Sequence, residues 1–320
     1  MFSLEQYNAA HNAAALIDRS SQGTIALTGG DRASFLHALL TNDIARLTSG
    51  QGVYAAYLTP QGRMISDMGV IETGARMLLT VERDIAAPLA ERFDKLIFSE
   101  DVQAKDVTND VIAIGVHGPS AARMIQQASG ISVIGLADQY DNITSGSVTI
   151  VRDDALGLPG YDVYVPAGGA DVMRAKLVEA GAVTASEETG ETLRIEAARP
   201  RFGIDMNTDT IPLEAGIEDR AISFTKGCYV GQEVIIRVMH RGHGRVARRL
   251  VSIVVIDGTV PARGSKIQSG DRVVGEITSA TASPRLGTAL ALAYVQREYA
   301  VPGTELTVSD SQARVHQPVN

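Results

Sequence analysis

The 320-residue sequence has a single cysteine, Cys228, and no apolar run long enough to cross a bilayer. One thiol excludes an internal disulfide and suits a reducing compartment, so a cytoplasmic location is expected. It also excludes an iron–sulfur cluster held by one chain alone, which needs several thiolates. The opening residues, MFSLEQYNAAHNAAALIDRS, have no basic n-region and no continuous apolar stretch, and read as the first helix of a mature protein, not as a signal peptide. A net charge of −8 argues against a general nucleic-acid-coating protein. Catalytic signatures are missing too: there is no G-x-x-x-x-G-K-[ST] loop, no G-x-G-x-x-G opening a helix, no C-x-x-C, no H-E-x-x-H and no serine-hydrolase elbow.

What is present is a rhythm of short elements. TIALTG reads as a strand, after which Asp31 is placed to cap the helix DRASFLHALL. GVYAAYLTPQGRMISDMGVIET has the pattern of a hairpin turning at Pro60–Gly62. ARMLLTVE with RDIAAPLAERFDKLIF, VIAIGVHG with PSAARMIQQA, and YDVYVPA with ADVMRAKLVEAG are three strand–helix pairs. Hairpins interrupt the alternation, so the fold class is α+β and not a doubly wound parallel sheet. After about residue 245 the runs RRLVSIVV, SKIQSGDRVVGEITSA, ALALAYV and TELTVS predict a small β-barrel or sandwich. The expected domains are therefore 1–244 and 245–320, with a hinge at Gly242–Gly244.

The cysteine lies in FTKGCYVGQEVIIRVMH, read as a strand end, a turn and a helix VGQEVIIRVMH with Val230, Val234 and Val238 on its buried stripe. Cys228 would then sit at a helix N-terminus, two residues from Lys226, and both features favour a thiolate. The plainer reading is a small buried hydrophobe; the adjoining glycines, which let a backbone approach a ligand closely, favour function. Residues 237–249, RVMHRGHGRVARR, carry Arg237, Arg241, Arg245, Arg248 and Arg249 with His240 and His243 and no acid. That is either a solvated helix face or a site for an anion such as phosphate, an RNA backbone or the acidic tail of a cofactor. Cys228, His240 and His243 match no standard zinc spacing, so no metal is expected.

KGCYVGQE resembles the signature of YgfZ-type proteins, folate-binding relatives of the glycine-cleavage T-protein whose mitochondrial members assist iron–sulfur cluster assembly. HALLTNDIARLTSGQGVYAAYLTPQGRMISDM, IGVHGPSAARMI, LRIEAARPRFGIDMNTDTIPLEAGI and GEITSATASPRLGTALALAYV resemble T-protein stretches in the expected order, so the likeness covers nearly the whole chain. It implies a folate-binding body of ferredoxin-like subdomains around a central cavity, followed by a C-terminal β-barrel.

It also implies roles. Glu196, in LRIEA, would hold the pterin ring of a tetrahydrofolate, since a carboxylate accepts two parallel hydrogen bonds from an amino group and a ring N–H. Asp67 would sit near the folate nitrogens that carry the one-carbon unit and stabilise developing positive charge. Lys226, Tyr229 and Gln232 would line the approach to a functional Cys228, and Arg241 would meet the anionic tail. Three departures from the aminomethyltransferases favour the YgfZ-like branch. Their longer N-terminal segment is not seen, LGLPGYDVYV replaces a G-E-D-G-like stretch, and Cys228 is added. The leading expectation is thus a folate-binding protein acting in iron–sulfur assembly or repair, with iron–sulfur proteins or assembly factors as partners and tRNA-modifying enzymes among the clients. A folate-dependent aminomethyltransferase and a non-enzymatic RNA- or protein-binding module are the alternatives, so catalytic turnover is left open.

Overall fold

The structure is a computed structural model that describes residues 2–240 and 245–316. Arg241, His243 and the expected hinge at Gly242–Gly244 lie outside the described residues. Contacts divide the chain into two units. One comprises Met1–Tyr57, Ser66–Gly190 and Ala221–Val230; the other comprises Leu58–Ile65, Glu191–Arg220 and Gly231–Asn320.

Up to residue 184 the order is α1 (Leu4–Asn12), β1 (Ala15–Asp18), β2 (Gln22–Thr28), α2 (Arg32–Leu39), β3 (Gly52–Leu58), β4 (Met64–Glu72), β5 (Met77–Glu82) and α3 (Arg83–Asp94). There follow β6 (Gln103–Asp106), β7 (Val111–His117), α4 (Ala121–Ser129), β8 (Asn142–Ser145), β9 (Val148–Arg152), β10 (Gly160–Pro166), α5 (Ala170–Glu179) and β11 (Val183–Thr184). They build two sheets, ordered β3-β4-β5-β2-β6 and β11-β1-β7-β10-β9-β8. Only the two-residue pairing of β1 with β11 is parallel among the registered pairs of the second sheet, as an α+β fold requires. Ala26, Ile71 and Leu78 of the first sheet meet Ala113, Val151 and Tyr164 of the second, forming one apolar layer. The far face of the second sheet is covered by Met124 and Ile125 of α4 and Met173 and Leu177 of α5. The first sheet carries α3, whose Ala86, Leu89, Ala90 and Phe93 recur at helical spacing and are buried.

Two local expectations fail for identifiable reasons. Asp31 is the N-cap residue of α2, yet its carboxylate accepts the Asp101 N–H (2.9 Å) and makes no cap bond. Helix α3 stops at Asp94 and does not run to Phe98. Just beyond it the Glu100 carboxylate accepts the N–H groups of Phe98 and Ser99, a local alternative to helical bonding that leaves Phe98 87% exposed.

Next come α6 (Glu187–Glu196), α7 (Pro212–Ala215), α8 (Glu218–Ala221) and α9 (Gln232–His240). The last six strands are β12 (Arg248–Val255), β13 (Lys266–Ser269), β14 (Arg272–Ser283), β15 (Thr288–Gln296), β16 (Glu305–Val308) and β17 (Ser311–His316). They close as a barrel in the order β12-β15-β14-β13-β16-β17. The alternation along β15 explains why that strand reads as a continuous apolar run. Ala289, Ala291, Ala293 and Val295 enter the barrel core, while Leu290 and Leu292 pack outside it with Ile195 of α6. A register shift between Ile277 and Ser279 marks a bulge in β14. The hydroxyls of the neighbouring residues Thr278 and Ser279 both donate to Asp205, whereas regular pleating would send them to opposite faces. No helix among the described residues is long and apolar enough to cross a membrane.

Candidate functional site

In the unit that contains Cys228, the chain after α8 is tied to the end of α2. Thr41 Oγ1 donates to the Ala221 carbonyl (2.6 Å), and the Ser223 N–H donates to the Thr41 carbonyl (3.0 Å). Lys226 completes the attachment. Its ammonium donates to the carbonyls of His37 (2.5 Å), Leu40 (2.6 Å) and Asn42 (3.0 Å), taking up all three hydrogens. Helix C-termini leave such carbonyls without intrahelical partners, and a cation there suits the helix dipole. Burial, opposed by the Asp43 charge, pushes the Lys226 amine down to about 8. Lys226 was expected to line a ligand path; its three hydrogen bonds show that it also holds α2 and the cysteine loop together.

The loop alternates. Lys226 and Tyr229 are buried, while Gly227 and Cys228 between them are exposed. Lys226 Nζ lies 5.2 Å from the Tyr229 ring centroid, and burial raises the Tyr229 hydroxyl to about 12. The thiol is thus carried between two fixed anchors, contrary to the reading as a buried hydrophobe. Helix α9 begins at Gln232 and not at Val230, so Cys228 precedes its first residue by four positions. Of the expected stripe, Val234 and Val238 are only half-buried; Ile235 is the fully buried residue. The nearby Gly231 is explained by packing: with φ +85°, its added Cβ would lie 2.5 Å from the Thr59 carbonyl. Gln232 is the half-buried first residue of α9.

Lys226 has a testable pH signature. In the unfolded chain it keeps its proton to about 10.5, so between pH 8 and 10.5 the unfolded state binds more protons than the folded state. The Lys226 contribution to stability therefore rises with pH across that window and is flat below it. Urea unfolding of the parent and Lys226→Met at pH 7.5, 9 and 10.5 should show the difference moving in the parent's favour; a constant difference would contradict the assignment.

Asp67 lies half-buried on β4, where its Oδ2 accepts the Tyr54 hydroxyl at 2.5 Å. Asn42 Nδ2 donates to the Tyr54 carbonyl (2.8 Å), so the loop clamped by Lys226 also braces the strand that orients Asp67. Asp67, Lys226, Cys228 and Tyr229 therefore belong to one unit. Tyr54 and Asn42 escaped the sequence reading. A signal was available: Tyr54 and Asp67 stand at nearly equal distances from the Pro60–Gly62 turn on facing strands of the hairpin.

Glu196 and Gln232 belong to the other unit. Glu196 is buried at the last residue of α6, and its Oε1 accepts the Ser283 hydroxyl and, at 3.4 Å, the Arg285 N–H. Two residues earlier in α6, Arg194 donates to Glu191 and to the fully buried Asp205 (2.7 Å). Of the basic stretch, Arg248 is partnered by Glu214 (3.2 Å) and stacks over Tyr294, an acid that only the fold brings near.

The model of the GCVT N-terminal domain matches residues 2–226, and that of the glycine cleavage T-protein C-terminal barrel domain matches residues 248–319. The chain belongs to the glycine cleavage T-protein family. Among its T-protein relatives, the aminomethyltransferase of Rubrobacter xylanophilus is 31% identical over 301 residues, 92% of this chain and 79% of the relative. That of Bacillus subtilis is 28% identical, covering 95% of this chain and 85% of its own. The crystal structure of aminomethyltransferase T from Bartonella henselae superposes with a TM-score of 0.90 at 21% identity, over 98% of this chain and 88% of that one. The T-protein fold, a mixed α/β body with a closed C-terminal barrel, is therefore established. These relatives favour the aminomethyltransferase alternative over the leading expectation of iron–sulfur assembly.

Proposed function

We propose that the protein binds tetrahydrofolate and transfers one-carbon units in the manner of an aminomethyltransferase. The observation that carries this is Glu196, a buried carboxylate oriented by two donors, in a chain whose full-length relatives bear that name. The residues suit the ligand. The pterin edge of folate presents N–H donors, and a carboxylate held as an acceptor is the complementary group. Asp67, braced by Tyr54, supplies a second acceptor whose negative charge would stabilise positive charge developing beside it. Bound tetrahydrofolate would supply the nitrogens that take up the one-carbon unit. Tyr229 and Gln232 are proposed to border the ligand, and Arg241 to meet its anionic tail. Lys226 would act at one remove, by fixing the loop. One exposed thiol suits the cytoplasm as the working compartment.

Tetrahydrofolate at about 100 times its Kd should stabilise the protein by about 2.7 kcal/mol. Glu196→Ala should abolish that gain. No thermal shift in the parent would overturn the reading. With aminomethyl-loaded carrier protein as donor, turnover that survives Cys228→Ser supports the transferase.

One observation favours a second reading, iron–sulfur assembly or repair: the exposed Cys228, held between buried Lys226 and Tyr229. Iron–sulfur proteins, including those acting on tRNA, would then be the partners. A deletion strain complemented with Cys228→Ala separates the two readings. Lost iron–sulfur enzyme activity with intact folate binding would favour the second.

A further inference from the structure

We propose that Ser283, on the barrel, is a positioning residue for the Glu196 carboxylate; this rests on Glu196 meeting the pterin edge of folate. Ser283 ends β14, and its hydroxyl is fixed from both sides. It accepts the Leu286 N–H at 3.1 Å and donates its single hydrogen to Glu196 Oε1. With an acceptor position taken by the turn, the hydroxyl's hydrogen is turned towards Glu196. Arg285 adds two contacts from the same turn. Its N–H reaches Oε1 at 3.4 Å, and its guanidinium donates to the Glu196 backbone carbonyl at 2.9 Å. That carbonyl lies in the last turn of α6, where intrahelical donors have run out. The β14–β15 turn thus grips both the side chain and the main chain of one residue.

The location is a poor one for stability alone. A carboxylate at a helix C-terminus faces the negative end of the dipole, and burial removes the water that would otherwise solvate it. Two donors from a neighbouring turn reach the carboxylate, offset that cost and set the orientation, while the Arg285 guanidinium holds the main chain beside it. Such an arrangement presents Glu196 as an acceptor at one angle, which selects a ligand edge with N–H donors. SATASPRLGT, which resembled the family without an assigned role, acquires one here: its serine and arginine orient the acid on LRIEA.

The experiment measures tetrahydrofolate affinity by calorimetry for the full-length parent, Ser283→Ala, Ser283→Thr and Glu196→Ala, with ligand-free melting recorded in parallel. Loss of a charge-assisted hydrogen bond predicts affinity about ten-fold weaker or worse for Ser283→Ala. Ser283→Thr, which keeps the hydroxyl, should restore it. Parent-like affinity in Ser283→Ala, with Glu196→Ala impaired, would overturn the positioning role and leave the folate reading standing. So would weakened binding in Ser283→Ala that Ser283→Thr fails to restore. Parent-like affinity in Glu196→Ala would instead remove the folate reading itself.

Discussion

Asp205→Ala is expected to destabilise the protein by about 3–5 kcal/mol, the range for removing one partner of a buried ion pair. Asp205 is almost completely buried and accepts four donors. They are the Arg194 guanidinium at 2.7 Å, the Arg201 N–H at 3.1 Å and the hydroxyls of Thr278 and Ser279. Truncation would leave Arg194 buried beside a cavity, where Glu191 (2.8 Å) and the Arg199 carbonyl (2.7 Å) remain its partners. Burial opposes the charge on Arg194, and Asp205 is the strongest influence sustaining it. Asp205→Asn tests charge separately from shape: an amide oxygen still accepts the hydroxyls, while its N–H₂ faces a donor-only guanidinium. Chemical unfolding of the two variants should rank parent, Asn and Ala in falling stability. Equal stability of Ala and parent would show that the hub does not hold α6 to the barrel.

Arg19→Ala should have a comparable effect in the other unit, again about 3–5 kcal/mol. The guanidinium donates through Nε to Asp162 (2.8 Å) and through Nη2 to Asp153 and to His117 Nε2 (2.9 Å). Since arginine only donates, Nε2 accepts and the ring proton sits on Nδ1, packed against Gly160. Burial opposes the ionised Asp162, yet the Arg19 charge holds it below the usual carboxylate range. Removing the arginine would strand two acids beside a histidine whose ligand atoms all lie within 4.8 Å of one another. Zinc should then raise the melting temperature of Arg19→Ala and leave the parent unchanged, because the guanidinium occupies the place a cation would take. An Arg19→Ala protein that melts like the parent would contradict this account.

The parts of the fold that were legible in the sequence are those with local causes. Strand–helix pairs such as 111–117 with 121–129 show their periodicity within one window, and Pro60–Gly62 announces a turn by itself. The barrel was readable from short β-type runs, although β17 was missed because SQARVH alternates too weakly. What escaped depends on partners far along the chain. The clamp made by Lys226 was invisible because its acceptors, residues 37–42, are nearly 190 positions away. The bulge in β14 has no local marker, yet it decides that two successive hydroxyls meet Asp205. Glu196 was found only through its resemblance to a family motif. Its serine partner, 87 residues on, could come only from the fold.

The alternation around Cys228 has a practical outcome. With one thiol per polypeptide, displayed between a lysine and a tyrosine that are locked in place, a maleimide dye would attach at a single known point without denaturant.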